Sequence, residues 1–390
     1  MSEGGQVCIA GGGIIGLALA FELTERGRDV CVYETGRLGQ HCAASVAAGM
    51  LAPVSEADIS HPELSRLALE SHGRYADFVR RVETASGEQV GYDTSGTLFV
   101  ALHRDHRAQL QHLHDFQVDR GFEAEWISRA EIREMEPAIS PTASAGLLLR
   151  HDHQVDPRRL MHALAAAIRG SSGTIVEDAR VLRVQAAGEG YEVHVDAEGQ
   201  QIGERFAQVM LAGGAWTGQI EAPLPPLPVR PVKGQVLRLR GERLISRVVR
   251  TPDVYLVPRD DGELVVGATM EEQGFDARVM AGPVLDLLRE AWRCLPGIYD
   301  IELAETCAGF RPALRDHMPA IGLAHAPGLF VATGHFRNGI ELAPVTAQLL
   351  AEQMETSNAS PLLEPFAPGR FAEAGELPAG VAPGTEGGGR

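Results

Sequence analysis

Val7-Cys8-Ile9-Ala10-Gly11-Gly12-Gly13-Ile14-Ile15-Gly16-Leu17-Ala18 is the stretch on which the reading of this chain turns. It opens with an apolar run of strand length, and its glycines then fall as Gly11-x-Gly13-x-x-Gly16. An apolar helical pattern continues to Arg26-Gly27, and a second apolar run, Val30-Cys31-Val32-Tyr33, ends in Glu34. Strand, spaced glycines, helix, strand and terminal acid together make a dinucleotide-binding unit. Gly11 allows the tight turn, Gly13 lets backbone approach a pyrophosphate, and Gly16 lets helix and strand pack closely. The helix start offers free N–H groups and a positive dipole end to the phosphates. Glu34 is placed to accept hydrogen bonds from a ribose hydroxyl pair. A glycine triplet alone would suit any strand–helix turn, and even the full unit leaves FAD and NAD equally open.

Around this unit, 390 residues leave room for two domains or one large composite. The composition, 44% apolar and 22% charged, is that of a soluble globular protein. A formal net charge of −17 argues against a general nucleic-acid or anionic-membrane surface, though not against a local basic pocket. The five cysteines show no paired spacing, so no disulfide framework is expected and a reducing cytoplasm fits best. Met1–Gln6 carries no basic region, and the first apolar run meets Glu22 well short of the ~20 residues a membrane span needs. Neither a signal peptide nor a membrane helix is expected. From Pro368 onward the Gly, Ala, Pro and Glu content predicts a mobile tail.

The small-residue loop Gly39–Leu51 suggests backbone brought close to something flat or bulky. Apolar spacing predicts a helix from His61-Pro62 to about Val82, a strand at 97–102 and a helix at 104–120. Ser128-Arg129-Ala130-Glu131 reads as a capping box, and Asp156-Pro157 as the start of a helix running to about Ile168. Strands are expected at 174–184 and 191–195, then an apolar run at 206–212 before Gly213-Gly214-Ala215-Trp216. Beyond the proline cluster Pro223–Pro231 strand patterns dominate, at 233–240, 246–257 and 263–270. Asp261-Gly262 predicts a two-residue hairpin turn that sets Tyr255 opposite Ala268, with Tyr255 and Met270 on one side of the sheet. A helix at 283–294 and a strand near 301–307 precede Arg311, and an apolar strand then breaks at Gly334 before a helix opens near Asn338-Gly339.

That last turn is a second helix N-terminus suited to negative charge, far in sequence from the first. Arg311 and Arg337 are each equipped to fork a carboxylate or to serve a surface ion pair, and residue chemistry leaves the two readings even. Tyr255 either donates to the same carboxylate or packs with a solvated tip. His151-x-His153 would share a strand face, but no third ligand accompanies them at metal-site spacing, so no metal is expected. Cys42 reads as an apolar passenger or an oxidation-prone thiol rather than a catalyst.

Several segments recur in one order. They are the glycine motif with Glu34, Ala47-Ala48-Gly49-Met50-Leu51, Ala212-Gly213-Gly214-Ala215-Trp216 and Pro231-Val232-Lys233-Gly234-Gln235. Tyr255-Leu256-Val257-Pro258-Arg259, Gly267-Ala268-Thr269-Met270, Gly309-Phe310-Arg311-Pro312 and Gly334-His335-Phe336-Arg337-Asn338-Gly339-Ile340 follow. Over about residues 5–370 the chain resembles the FAD-dependent D-amino-acid oxidase superfamily and, within it, the bacterial glycine oxidases of thiamine biosynthesis. The resemblance implies an α/β fold with an α+β second domain. An FAD-binding Rossmann-like domain (1–88, 145–222, 306–368) would interleave with a substrate domain on a large, mostly antiparallel sheet (89–144, 223–305), leaving 369–390 as tail. It also implies which residues meet FAD. Gly11, Gly13 and Gly16 would meet the pyrophosphate, Glu34 the adenosine ribose and Val181 the adenine, with Ile14, Ile15, Thr35 and Arg37 also at the cofactor. Ser45, Ala47, Ala48, Gly49 and Met50 would line the isoalloxazine, and Gly214 and Trp216 would add to the site. The turn of Gly334, His335, Phe336, Arg337, Asn338, Gly339 and Ile340 would meet the pyrimidine edge. Arg311 and Tyr255 would hold a substrate carboxylate, with Met270 near the amine side and Arg337 at the pocket edge.

Related covalent flavoenzymes carry a histidine where this chain has Val46, and Cys307 is out of register with the cysteine others use. Non-covalent FAD is therefore expected, with a Cys307 linkage as the lesser alternative. The implied reaction is oxidation of glycine, sarcosine or a small D-amino acid to the imine, with O2 reduced to hydrogen peroxide, in a cytoplasmic dimer or tetramer. Rival readings are a D-amino-acid dehydrogenase feeding a quinone, an RNA-modifying oxidase domain, and a flavoprotein subunit without turnover of its own. The acidic balance and the lack of a basic docking segment count against the first two.

Overall fold

A computed structural model describes residues 6–40, 42–56, 60–324 and 326–371. Its first layer is a six-stranded sheet in the order Ala320–Leu323, Leu329–Thr333, Gln208–Leu211, Val7–Ala10, Val30–Tyr33, Thr174–Val176. All neighbours are parallel except the Ala320–Leu323 edge. The strands Val7–Ala10, Val30–Tyr33 and Leu329–Thr333 are buried throughout, as expected where both faces of a parallel sheet are covered. Helices Ile14–Glu25, Pro62–Ser86, Pro157–Arg169 and Gly339–Thr356 share one apolar core with this sheet. The opposite face packs against a three-stranded antiparallel sheet, Ala179–Ala187, Gly190–Ala197 and Gln200–Phe206.

A second layer, an eight-stranded sheet, has its own core beneath the helix Ala281–Cys294. Its order is Glu302–Ala313, Arg230–Arg240, Glu263–Gly267, Tyr255–Pro258, Val248–Arg250, Thr97–Ala101, Ala145–Leu149, Glu125–Ser128. Only the pair Val248–Arg250 and Thr97–Ala101 is parallel. This is the α/β architecture with a large, mostly antiparallel second sheet that the sequence predicts. The strands Ala145–Leu149 and Glu302–Ala313, where the sequence division falls at 145 and 306, hydrogen-bond into the large sheet.

Three local expectations are corrected. The strand read at 174–184 is two strands in two sheets, because Asp178 adopts φ 54° and turns the chain between them. The strand read at 246–257 is broken by a turn in which the Thr251 hydroxyl accepts from the N–H groups of Asp253 and Val254, both at 3.2 Å. The hairpin turn holds three residues rather than two. Gly262 takes φ 85°, the Arg259 N–H donates to the Glu263 carbonyl at 2.8 Å, and Tyr255 pairs with Gly267 instead of Ala268. The strand expected at 263–270 ends at Gly267, so Met270 lies beyond it, 63% exposed. The capping box at Ser128 is present in full. Pro368–Phe371 forms a short 3-10 turn tied by Arg370 to Asp316 at 2.9 Å, and the rest of the expected tail, 372–390, lies outside the described residues.

Candidate active site

One cavity of about 830 Å³ runs from the first glycine turn to the large sheet. At its first end the three glycines differ in what a Cβ would meet. At Gly11 (φ 122°) it would overlap the Ala212 carbonyl, and at Gly16 the Gly11 carbonyl; at Gly13 nothing lies within 4 Å. Turn, close packing and an open approach for a ligand are thus divided among them as the spacing predicts. The helix Ile14–Glu25 starts at Gly13 with no side-chain cap, which leaves its first N–H groups free for an anion. Glu34 accepts from the Gly12 N–H at 2.7 Å, so its carboxylate is fixed at the strand tip.

The small-residue loop lies along the middle of the cavity, its backbone held by the half-buried Arg158 and the buried Arg238 and Arg259. Arg158 Nε and Arg238 donate to the Ser45 carbonyl at 2.8 and 3.1 Å, and Arg259 donates to the Ala48 carbonyl. Arg158 also forks Glu305 at 2.9 and 2.8 Å. Position 49 requires glycine, since its φ is 78° and a Cβ there would overlap the Val155 carbonyl. The Gly334–Ile340 turn closes the cavity's other edge. Its Phe336 N–H donates to the Pro312 carbonyl at 2.8 Å, which couples this turn to the arginine strand. His335 is fully buried against Thr346 Oγ1 at 3.1 Å, and burial pushes its pKa down to about 3, so the ring is neutral.

At the large sheet, Gly234 and Gly267 have no side chain where Arg311 and Tyr255 lie; a Cβ at either would overlap them. Arg311 donates to the carbonyls of Thr269 (3.0 Å) and Lys233 (3.4 Å) and has no ion-pair partner among the described residues. Burial lowers its pKa from the ordinary guanidinium value. The Tyr255 hydroxyl likewise has no hydrogen-bond partner among the described residues, and burial raises its pKa so that it stays a donor. Arg337 is already engaged, with Nε 3.1 Å from Glu56. Glu56 is shared with Arg250 at 2.9 Å. Burial pushes the Glu56 carboxyl up, but Arg250 and Arg337 outweigh it and hold the group below the ordinary carboxylate value.

Nearly all the residues expected at the site line this one cavity, including Tyr255, Met270, Arg311 and Arg337. Gly16, Arg37, Ser45 and Gly334 are not part of its lining; Arg37 is exposed and pairs with Asp178 at 3.1 Å. Glu56, Arg250 and the buried Glu341 also line it and were not legible in the sequence, because no spacing or motif marks them. His151 and His153 do not converge: His153 Nδ1 meets the Tyr92 hydroxyl at 2.9 Å, while His151 faces Glu123 at 3.6 Å.

The family described as FAD dependent oxidoreductase matches residues 6–353. The chain belongs to that family. It is 35% identical over 366 residues to the bifunctional protein ThiO/ThiG of a Nostoc species, covering 93% of this chain and 54% of that protein. It therefore spans about half the length of the first curated relatives it matches. It is also 33% identical over 368 residues to the glycine oxidase of Geobacillus kaustophilus, covering 93% of this chain and 96% of that one. The crystal structure of glycine oxidase from Geobacillus kaustophilus superposes with a TM-score of 0.84 at 31% identity, over 93% of this chain and 98% of that chain. Membership makes the first dinucleotide FAD rather than NAD, and the bare Gly13 backbone beside an uncapped helix start fits its pyrophosphate. Among the described residues no helix is long and apolar enough to cross a membrane.

Proposed function

We propose that the chain oxidises the amine of glycine or a similar small amino acid, such as sarcosine or a small D-amino acid. The observation that carries this reading is Arg311: a guanidinium in the cavity wall with no carboxylate partner among the described residues, beside a phenol whose hydroxyl is equally unmatched. An isolated cation is costly to bury, and a carboxylate arriving with the substrate completes the pair. Arg337 is a weaker anchor because Glu56 already holds it. FAD, held at Gly11 and Gly13, Glu34, the Ala47–Met50 loop and the Gly334–Ile340 turn, supplies the two-electron acceptor. Arg311 and Tyr255 bind the carboxylate and fix where the Cα–H points, a positioning effect that needs no side-chain base. His335 is neutral and Glu56 is held by two arginines, so neither of these two is a proton acceptor poised near neutrality.

The net reaction is amino acid, O2 and water to 2-oxo acid, ammonia (or, from sarcosine, methylamine) and hydrogen peroxide, with glyoxylate from glycine or sarcosine. The names of the relatives support thiazole formation for thiamine as its destination. Non-covalent attachment of FAD, a cytoplasmic location and a homodimer or homotetramer belong to the same reading. The large-sheet division, 89–144 and 223–305, serves as the substrate side. An amine panel assayed for both peroxide and oxo acid tests it. Glycine or sarcosine should turn over with equal yields of the two products, and a purified yellow protein that oxidises no amine would refute it.

A further inference from the structure

His103, His106 and Asp253 bring three donor atoms within 4.8 Å of one another, outside any role assigned above. His103 is the residue that opens the helix Arg104–Asp119, and His106 lies one turn in, so both rings leave the same helix face. Asp253 comes from the turn between the strands Val248–Arg250 and Tyr255–Pro258. His106 Nε2 is 2.8 Å from Asp253 Oδ2, and the two imidazole centroids are 3.7 Å apart. His106 is 4% exposed and its Nδ1 is buried with no hydrogen-bond partner, so the ring is held in place mainly by packing and by Asp253.

We propose that this triad is a binding site for a divalent cation of the zinc class. Two imidazoles and one carboxylate are the donor set such an ion takes, with water in the remaining position. Tetrahedral zinc at its usual bond lengths needs donors about 3.3 Å apart. The His106–Asp253 edge is near that already, and rotation of the exposed His103 side chain closes the remaining gap. The ion would tie the helix to the turn holding Thr251, Pro252 and Asp253, which forms part of the cavity wall two residues before Tyr255. Bound metal would therefore stiffen that wall and slow turnover. This consequence rests on the proposed amine oxidation, whereas the binding does not.

Calorimetric titration of tag-free, FAD-loaded protein with zinc chloride measures the site directly. One ion per chain is expected, with His103→Ala and Asp253→Asn each weakening it by about tenfold or more, since losing a direct ligand costs at least as much as losing an outer-shell partner. His103 lies outside the cavity lining, so His103→Ala should keep metal-free turnover while losing zinc inhibition. Absent binding, or binding unchanged in both variants, would overturn the site. Binding at the triad with turnover unaffected by zinc would overturn the proposed control while leaving the amine-oxidase reading intact.

Discussion

Replacing Arg311 separates catalysis from stability. Its guanidinium makes two carbonyl contacts and no ion pair among the described residues, so in the substrate-free protein it is a largely uncompensated cation. Arg311→Met keeps much of the stem volume. It forfeits two hydrogen bonds from a charged donor, worth about 1.5–3 kcal/mol each, but also removes the several-kcal/mol cost of burying the charge. The two effects oppose, and stability should change by no more than about 1 kcal/mol. With substrate bound, the same replacement leaves a carboxylate buried without its partner, a loss of about 2–5 kcal/mol. At about 1.4 kcal/mol per decade, kcat/KM should fall by roughly thirtyfold to several thousandfold. Arg311→Lys, with charge but no fork, should fall between. Steady-state peroxide release from glycine and sarcosine gives the kinetics, and chemical denaturation of the apoprotein gives the stability. A kcat/KM within threefold of the parent, or a loss explained by unfolding, would refute the reasoning.

Tyr255→Phe removes one neutral donor and should raise KM by about five- to tenfold, on the order of 1 kcal/mol, with a smaller change in kcat; a kcat collapse at constant KM would instead mark the phenol as a chemical participant. Gly13→Ala and Gly16→Ala should differ in kind. The first adds a Cβ in open space and should fold normally yet lose FAD affinity in a flavin titration, whereas the second meets the Gly11 carbonyl and should lower the apoprotein melting temperature. His335 predicts an acid limb of stability. Its folded pKa of about 3 is depressed below the unfolded value of ~6.5, so its contribution is whole above pH ~6.5 and is lost as pH falls toward 3. His335→Gln should flatten that limb in denaturation midpoints measured from pH 7 to 4, and an unchanged slope would assign it elsewhere. Acid or heat precipitation should release free flavin from the parent and from Cys307→Ser alike; flavin retained only by the parent would identify a covalent link.

The parallel sheet was legible because its strands are unbroken apolar runs and its first turn is spelled in glycines with distinct steric tasks. Arg311 and Tyr255 were legible as residue types, but only the folded sheet shows that Gly234 and Gly267 make room for them. Register was harder. Asp261-Gly262 signals a hairpin, yet whether two or three residues form its loop depends on Gly262 adopting a left-handed conformation, and a shift of one residue changes every cross-strand partner. Asp178 hides a sheet-to-sheet turn in the same way, because an aspartate in that conformation has no distinctive neighbours in sequence. Glu56, Arg250 and the three arginines that grip the Ser45 and Ala48 carbonyls act through contacts some hundred residues or more away along the chain. No local pattern encodes such partners.

A carboxylate bound by Arg311 next to FAD can be observed without turnover. Titrating the oxidised holoenzyme with glycolate or acetate, which lack the amine, should produce a saturable shift in the flavin absorbance of the parent protein and almost none with Arg311→Met. Equal shifts and equal affinities in the two proteins would contradict the assignment of the substrate anchor.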